Sequence, residues 1–270
     1  MTRLSGWLAG GARAVVAAAA ELVWPRTCAA CGDGPLPLAA RGCLCAACAE
    51  TLEPLWPPGR AALCSRCGAP RRPGDEDLAA GFTPVAAPCP DCRRLAPVLT
   101  RIRAAFAYEG ALPVALMQLK WQGRDDLATP LGALLAPLLS AAADRCDVAV
   151  PVPLHPSRLR ERGYNQAALL LQAGLRARRG IPPVLPLRSG LLVRLLATPP
   201  AQAQGPRERL LRVAGTFAVA PRLRSRVRGR RVLLCDDVVT TGATVSACAQ
   251  ALHAAGAAHV EAVALLRAAP

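Results

Sequence analysis

Lysine is almost missing from this chain. Lys120 is the only one, so 32 of the 33 basic residues are arginine, a skew that reflects genome composition and weakens any inference from a single arginine. Aromatic residues reach only 3%, so a core has to be built from aliphatic contacts, and with 53% apolar residues the composition is that of a folded protein. The three histidines, His155, His253 and His259, are too scattered for a histidine metal site or base constellation and read as solvent or helix-surface groups. There is no G-K-[ST], which excludes a nucleoside-triphosphate P-loop, and no G-x-G-x-x-G follows a predicted strand. A long uncharged apolar run is also lacking. The stretch from Trp7 to Trp24 is Ala-rich, but Arg13 interrupts it and Glu21 stands near its end, so it is a poor membrane span. A secretory signal cleaved near Ala20 is the weaker reading. We expect residues 1–24 to form a short helix and the protein to be cytoplasmic.

What the chain does have is concentrated. Nine of its twelve cysteines fall between Cys28 and Cys92. They include four C-x-x-C pairs: Cys28 with Cys31, Cys45 with Cys48, Cys64 with Cys67, and Cys89 with Cys92. A C-x-x-C turn brings two thiolates to one metal ion, and two such turns complete a tetrahedral site. The gaps of 13 residues between Cys31 and Cys45 and 21 between Cys67 and Cys89 fit two ribbon-like zinc sites. Sequential pairing is the simplest arrangement, and interleaved pairing is the alternative. Disulfides would need an oxidising compartment, and a redox pair would not require four copies. Cys43 offers a competing ligand next to Cys45, whereas Cys146, Cys235 and Cys248 read as small buried hydrophobes. With four thiolates per ion there is no open coordination position, so the zinc is expected to be structural.

The charge is concentrated as well. Between Arg158 and Arg231 there are seventeen arginines against Glu161 and Glu208, so this stretch carries the whole net charge of +15. Such a field suits a polyanion, pyrophosphate or a nucleic-acid backbone, with solvated surface arginines as the bland alternative.

From about residue 100 strand-like and helix-like segments alternate, predicting an α/β domain with a parallel sheet. We expect strands over Ile102–Tyr108, Val148–Pro153, Val184–Leu196, Thr216–Val219, Arg231–Cys235 and His259–Leu266. Helices are expected in broken form over Leu112–Leu139, then over Gln166–Arg179 and Thr244–Ala255. The loop Thr198–Pro206 has the length and polarity of a functional lid.

The run Arg231-Val-Leu-Leu-Cys-Asp-Asp-Val-Val-Thr-Thr-Gly-Ala-Thr244 passes from a buried strand through two acids into a small-residue loop that opens a helix. A loop at the carboxyl end of a parallel strand lies where α/β sheets bind ligands. Thr240, Thr241, Gly242, Ala243 and Thr244 can offer N–H groups and hydroxyls to a phosphate, helped by the helix dipole. Asp236 and Asp237 would then face an adjoining sugar. The bland alternative is a strand, an acidic turn and a capping threonine.

This run resembles the ribose-phosphate signature of type I phosphoribosyltransferases. Together with Val150–Arg158, Arg162-Gly-Tyr-Asn-Gln166, Leu119-Lys-Trp-Gln-Gly-Arg124 and the cysteine pairs, the chain resembles the ComF family from about Pro25 to its end. The resemblance implies a double zinc ribbon over residues 25–95 and a phosphoribosyltransferase-like domain over 100–270. It further implies that Asp236 and Asp237 hold the ribose hydroxyls and that Thr240–Thr244 cradle the 5-phosphate. Leu154, His155, Pro156, Ser157 and Arg158 would form the pyrophosphate loop. The implied reaction displaces pyrophosphate from phosphoribosyl pyrophosphate, with magnesium bridging ligand oxygens and Arg158 and Arg162 neutralising the leaving group; for these two, plain surface charge is the alternative. The acceptor is open. The lid departs from the family pattern, with Gln202 and Gln204 off the expected spacing and Arg212 where asparagine is expected. A second reading follows from the competence association of ComF relatives: a non-enzymatic protein that keeps the phosphate cradle and contacts single-stranded DNA or a helicase partner.

Overall fold

The computed structural model describes residues 27–33, 36, 42–56, 63–70, 88–90, 92, 98–178, 180, 182, 185–196, 213 and 215–268. The expected N-terminal helix and the lid, with Gln202, Gln204, Arg209 and Arg212, lie outside these residues.

Four strands form one parallel sheet: β1 (Arg101–Ala107), β2 (Val148–Pro151), β5 (Arg231–Val239) and β6 (His259–Arg267), in the order β1-β6-β5-β2. The two central strands are buried along nearly their whole length because a parallel sheet is covered on both faces. Alternation divides their side chains between two cores: Val232 and Leu234 point into one, Leu233 and Cys235 into the other. The Leu233 face is covered by α2 (Ala111–Trp121), α3 (Ala128–Ala133), α4 (Ala136–Ala143) and α6 (Gln166–Ala177). The Val232 face is covered by α7 (Ala243–Ala254) and a small antiparallel hairpin, β3 (Leu192–Arg194) with β4 (Phe217–Val219).

Helices α3 and α6 meet almost backbone to backbone. A Cβ at Gly132 would lie 2.5 Å from the Leu170 carbonyl oxygen, and one at Gly174 would lie 2.8 Å from the Gly132 carbonyl oxygen. Proline punctuation shapes the remainder. Val184–Leu196 does not form one long strand: Pro186 lends its carbonyl to the Ala149 N–H, Leu187 makes a single bridge to β2, and a turn at Gly190 with φ of 78° precedes β3. Pro has no N–H to continue a ladder.

The cysteine segment, with its short helix α1 (Ala46–Glu50), is fastened to the open side of β1. The Leu55 N–H donates to Ala105 O at 2.9 Å, the Ala107 N–H to Glu53 O at 2.9 Å, and the Ile102 N–H to Arg66 O at 2.7 Å. These bonds satisfy an edge that would otherwise offer a row of unpaired groups. The two halves of the segment straddle the strand. Ala29 and Cys43 join the core under α2, while Cys64, Cys67 and Ala69 join the opposite core with Ile102 and Ala104. Thr51 Oγ1 accepts from the first N–H of α2, at Ala111, at 3.1 Å. Gln118 Nε2, near the far end of that helix, donates to Ala29 O at 2.7 Å. Among the described residues no single helix is long and apolar enough to cross a membrane.

Candidate functional site

The eight C-x-x-C cysteines gather into two quartets in which the four sulfurs lie within 4.8 Å of one another: Cys28, Cys31, Cys45 and Cys48, then Cys64, Cys67, Cys89 and Cys92. The grouping is the sequential one. Four thiolates at about 2.3 Å from a tetrahedral ion sit about 3.8 Å apart along each edge. The Sγ separations of 3.8 Å for Cys31 to Cys45 and 3.8 Å for Cys67 to Cys89 match that edge, so the donor set fits a metal ion of this kind. The quartets repeat one device. Cys28 Sγ accepts from the N–H groups of Ala30 and Cys45, at 3.5 and 3.3 Å, and Cys64 Sγ from those of Cys67 and Cys89, at 3.4 and 3.2 Å. Such donors stabilise thiolate charge and orient the ligand. Cys43 belongs to neither quartet; it is buried beside α2, and burial pushes its thiol up to about 11.

The second site lies at the carboxyl ends of the strands. Strand β5 runs two turns of pleat further than expected, to Val239, and so carries Asp236 and Asp237 inside the ladder rather than in a turn. Beyond it, Thr240, Thr241, Gly242, Ala243 and Thr244 line a cavity of about 370 Å³. Gly242 takes φ of 81°, a left-handed conformation that L side chains rarely adopt, and starts α7 without a side-chain cap. The amino terminus of that helix, with its orphan N–H groups, faces the cavity.

The cavity also has a cationic lining. Arg158 and Arg162 come from α5 (Pro156–Arg162), Arg194 from β3 and Lys120 from the last turn of α2. The expected pyrophosphate loop is shorter than Leu154–Arg158, because Pro156 takes the first helical position, where its missing N–H is harmless. Leu154, Arg158 and Arg162 line the cavity, while His155, Pro156 and Ser157 do not. His155 Nδ1 is used locally, accepting from the Ser157 N–H at 3.3 Å as the cap of α5. The other two histidines are structural too: His253 bonds to Ala257 O and Val98 O, and His259 to Thr100.

The two acids are held differently. Asp237 is ion-paired to Lys120, Nζ to Oδ2 3.0 Å. Asp236 Oδ1 accepts the Asp237 N–H at 2.9 Å, but burial, reinforced by the neighbouring Asp237 charge, pushes its carboxyl up to about 7. Both acids reach the opening shared by the strand ends, with Tyr108, Leu154, Thr240 and Ala268 around it. Trp121, 53% exposed, lies under two guanidinium groups, with Arg162 at 4.7 Å and Arg158 at 5.9 Å from its ring centre. Arg162 Nη1 also donates to Gln166 Oε1 at 2.5 Å. Lys120, Trp121, Gln166 and Arg194 were not among the expected site residues. The first three stood in the stretches that carried the family resemblance, and Lys120 was marked by being the only lysine. Arg194 carried no signal among so many arginines.

This arrangement can hold an anion at the α7 terminus, a hydroxyl-bearing group against the acids, and a second anion against the arginines. The Phosphoribosyl transferase domain family model matches residues 198–269, which contain β4, β5, α7 and β6. The chain is 31% identical over 246 residues to the DNA utilization protein YhgH of Salmonella typhi, covering 86% of this chain and 93% of that protein. It is 31% identical over 210 residues to the DNA utilization protein YhgH of Escherichia coli strain K12, covering 76% of this chain and 84% of that protein. It is also similar to the competence protein ComFC of Bacillus subtilis, 27% identical over 213 residues, covering 76% of this chain and 78% of that protein.

Proposed function

Because this chain belongs to the ComF family, which joins a zinc-ribbon module to a phosphoribosyltransferase-type domain, we propose that it binds 5-phosphoribosyl pyrophosphate with magnesium and passes the phosphoribosyl group to an acceptor, releasing pyrophosphate. One observation carries the reading: a single cavity at the carboxyl end of β5 is lined by Asp236, the start of α7, Arg158, Arg162 and Arg194, with Asp237 next in the strand. In this reading Thr240–Thr244 hold the 5-phosphate at the dipole of α7, and Asp236 and Asp237 accept from the ribose hydroxyls. The Leu154 loop, Arg158 and Arg162 take the pyrophosphate and stabilise its charge as the bond to the anomeric carbon breaks.

Among the described residues, the groups of three or more metal-binding side chains are the two cysteine quartets. In this reading magnesium would arrive on ligand oxygens and keep its waters. When bound it would neutralise pyrophosphate charge, with Asp236 and Asp237 bordering the same opening. The quartets are assigned to structural zinc, about two ions per chain, on the tetrahedral fit of four thiolates. Titration calorimetry with phosphoribosyl pyrophosphate and magnesium tests the reading. Binding by the native chain and its loss in Asp236→Asn with Asp237→Asn is the expected result; no binding, or binding that survives the double change, overturns it.

A second reading is a non-enzymatic role in DNA handling, with single-stranded DNA or a helicase as partner. It is supported by the names of the relatives and by Arg222, Arg224, Arg226, Arg228 and Arg230, all exposed ahead of β5. They lie at the end of the sheet opposite the cavity. Single-stranded DNA affinity that falls steeply with salt is the expected signature.

A further inference from the structure

We propose that Lys120 is a mobile counter-ion: its ammonium holds Asp237 in the free protein and passes to a pyrophosphate oxygen when ligand enters. The proposal rests on the phosphoribosyl pyrophosphate reading above and assigns a residue role that reading leaves open.

Composition makes the first half of the case. In a chain where 32 of 33 basic residues are arginine, a position that tolerates either cation carries arginine, so position 120 is one where a guanidinium does not serve. Geometry supplies the reason. Lys120 Nζ lies 3.0 Å from Asp237 Oδ2, and the two side chains are only 18% and 7% exposed. Both acids and Lys120 border the same opening, together with Leu154 of the loop and Thr240. An arginine fork would take both carboxylate oxygens in a fixed plane. That would fix the orientation of Asp237 and occupy part of its acceptor capacity, leaving it less free to meet a ribose hydroxyl. An ammonium is a compact charge on a flexible stem, so it can neutralise a buried carboxylate and still move. Its place is fixed from behind: Lys120 stands in the last turn of α2, Gln118 ties that helix to Ala29 O, and the Tyr164 hydroxyl donates to the Leu119 carbonyl.

Two features favour exchange over a permanent pair. A ligand that brings magnesium brings positive charge toward the acids, which removes the need for the ammonium there. The pyrophosphate side of the cavity, lined by Leu154, Arg158 and Arg162, borders Lys120 as well.

The test compares the native chain with Lys120→Arg and Lys120→Met, using phosphoribosyl pyrophosphate, inorganic pyrophosphate and ribose 5-phosphate as probes, each with magnesium. Both variants should lose about tenfold or more affinity for the two pyrophosphate ligands, the worth of one charge-assisted hydrogen bond, while ribose 5-phosphate is less affected. Lysine labelled with ¹³C gives one side-chain spectrum in this protein, so the native chain reports directly even where a variant folds poorly. Its ε signal should move with Asp237→Asn and move again when inorganic pyrophosphate saturates. Unchanged phosphoribosyl pyrophosphate affinity in Lys120→Arg, or an ε signal that ignores bound pyrophosphate, overturns the exchange alone. A native chain that binds no phosphoribosyl pyrophosphate overturns the parent reading and this one with it.

Discussion

The side-chain amide of Asn165 donates to the Val152 carbonyl oxygen at 2.9 Å, while its Oδ1 accepts from the N–H groups of Ala167 and Ala168 at 2.9 and 3.3 Å. One residue thus caps α6 and pins the loop that follows β2. The two tasks separate by substitution. Asn165→Asp keeps the cap but sets a carboxylate oxygen against the Val152 carbonyl oxygen, so it should lower the melting temperature through the loop contact alone and weaken pyrophosphate binding. Asn165→Ala removes both contacts and should destabilise the fold by ~1 kcal/mol through the lost cap. Thermal melts paired with calorimetry distinguish the two effects.

Asp236 gives the site a pH signature. A carboxyl held up to about 7 in the folded state and titrating at about 4 in the unfolded chain favours folding while it is protonated. Its contribution is whole below about pH 4 and fades as pH rises through about 7. Asp236→Asn should therefore melt above the native chain at pH 8, and the two should converge toward pH 4. If Asp236 accepts from a ribose hydroxyl, ligand affinity in the native chain should instead rise between pH 6 and 8. Melts and titrations across that range read the two opposed trends.

Metal content should follow the quartets. We expect about two zinc ions per native chain, about one after Cys31→Ser, and still about two after Cys43→Ala. The last change removes a buried thiol from the core beneath α2, so it should lower the melting temperature without changing the metal count. Elemental analysis by mass spectrometry checks all three values.

The contact between α3 and α6 leaves no room for a methyl group. With the nearest neighbours of a new Cβ at 2.5 Å, one of them the Leu170 carbonyl, Gly132→Ala should destabilise by about 1–3 kcal/mol. Denaturant titration measures it.

The ends of the fold were more legible in the sequence than its middle. The Arg231–Thr244 run announced a strand, two acids and a helix start because each is a local pattern of residue types, and the structure has all three in order. The cysteine quartets were legible because ligand spacing is a covalent constraint. The strand partner of β4 was not, since Val184–Leu196 has apolar residues on both sides of Arg188-Ser-Gly190 and little in the pattern says where pairing starts. Nor was the strand placement of Asp236 and Asp237, which carboxylate propensity alone puts in a turn. The cationic wall needed the fold: Lys120, Arg162 and Arg194 are far apart in sequence and converge only when α2, α5 and β3 reach one end of the sheet.

The attachment of the cysteine segment to β1 also bears on how the chain is made. Strand β1 pairs with β6, the last strand of the sheet, in the register Ile102 to Ala262. During synthesis β1 leaves the ribosome long before that partner exists, and domains form in the order in which they emerge. The segment that precedes it can already bond its other edge through Leu55, Ala107 and Ile102. In the order of emergence the cysteine segment thus meets β1 before β6 is made.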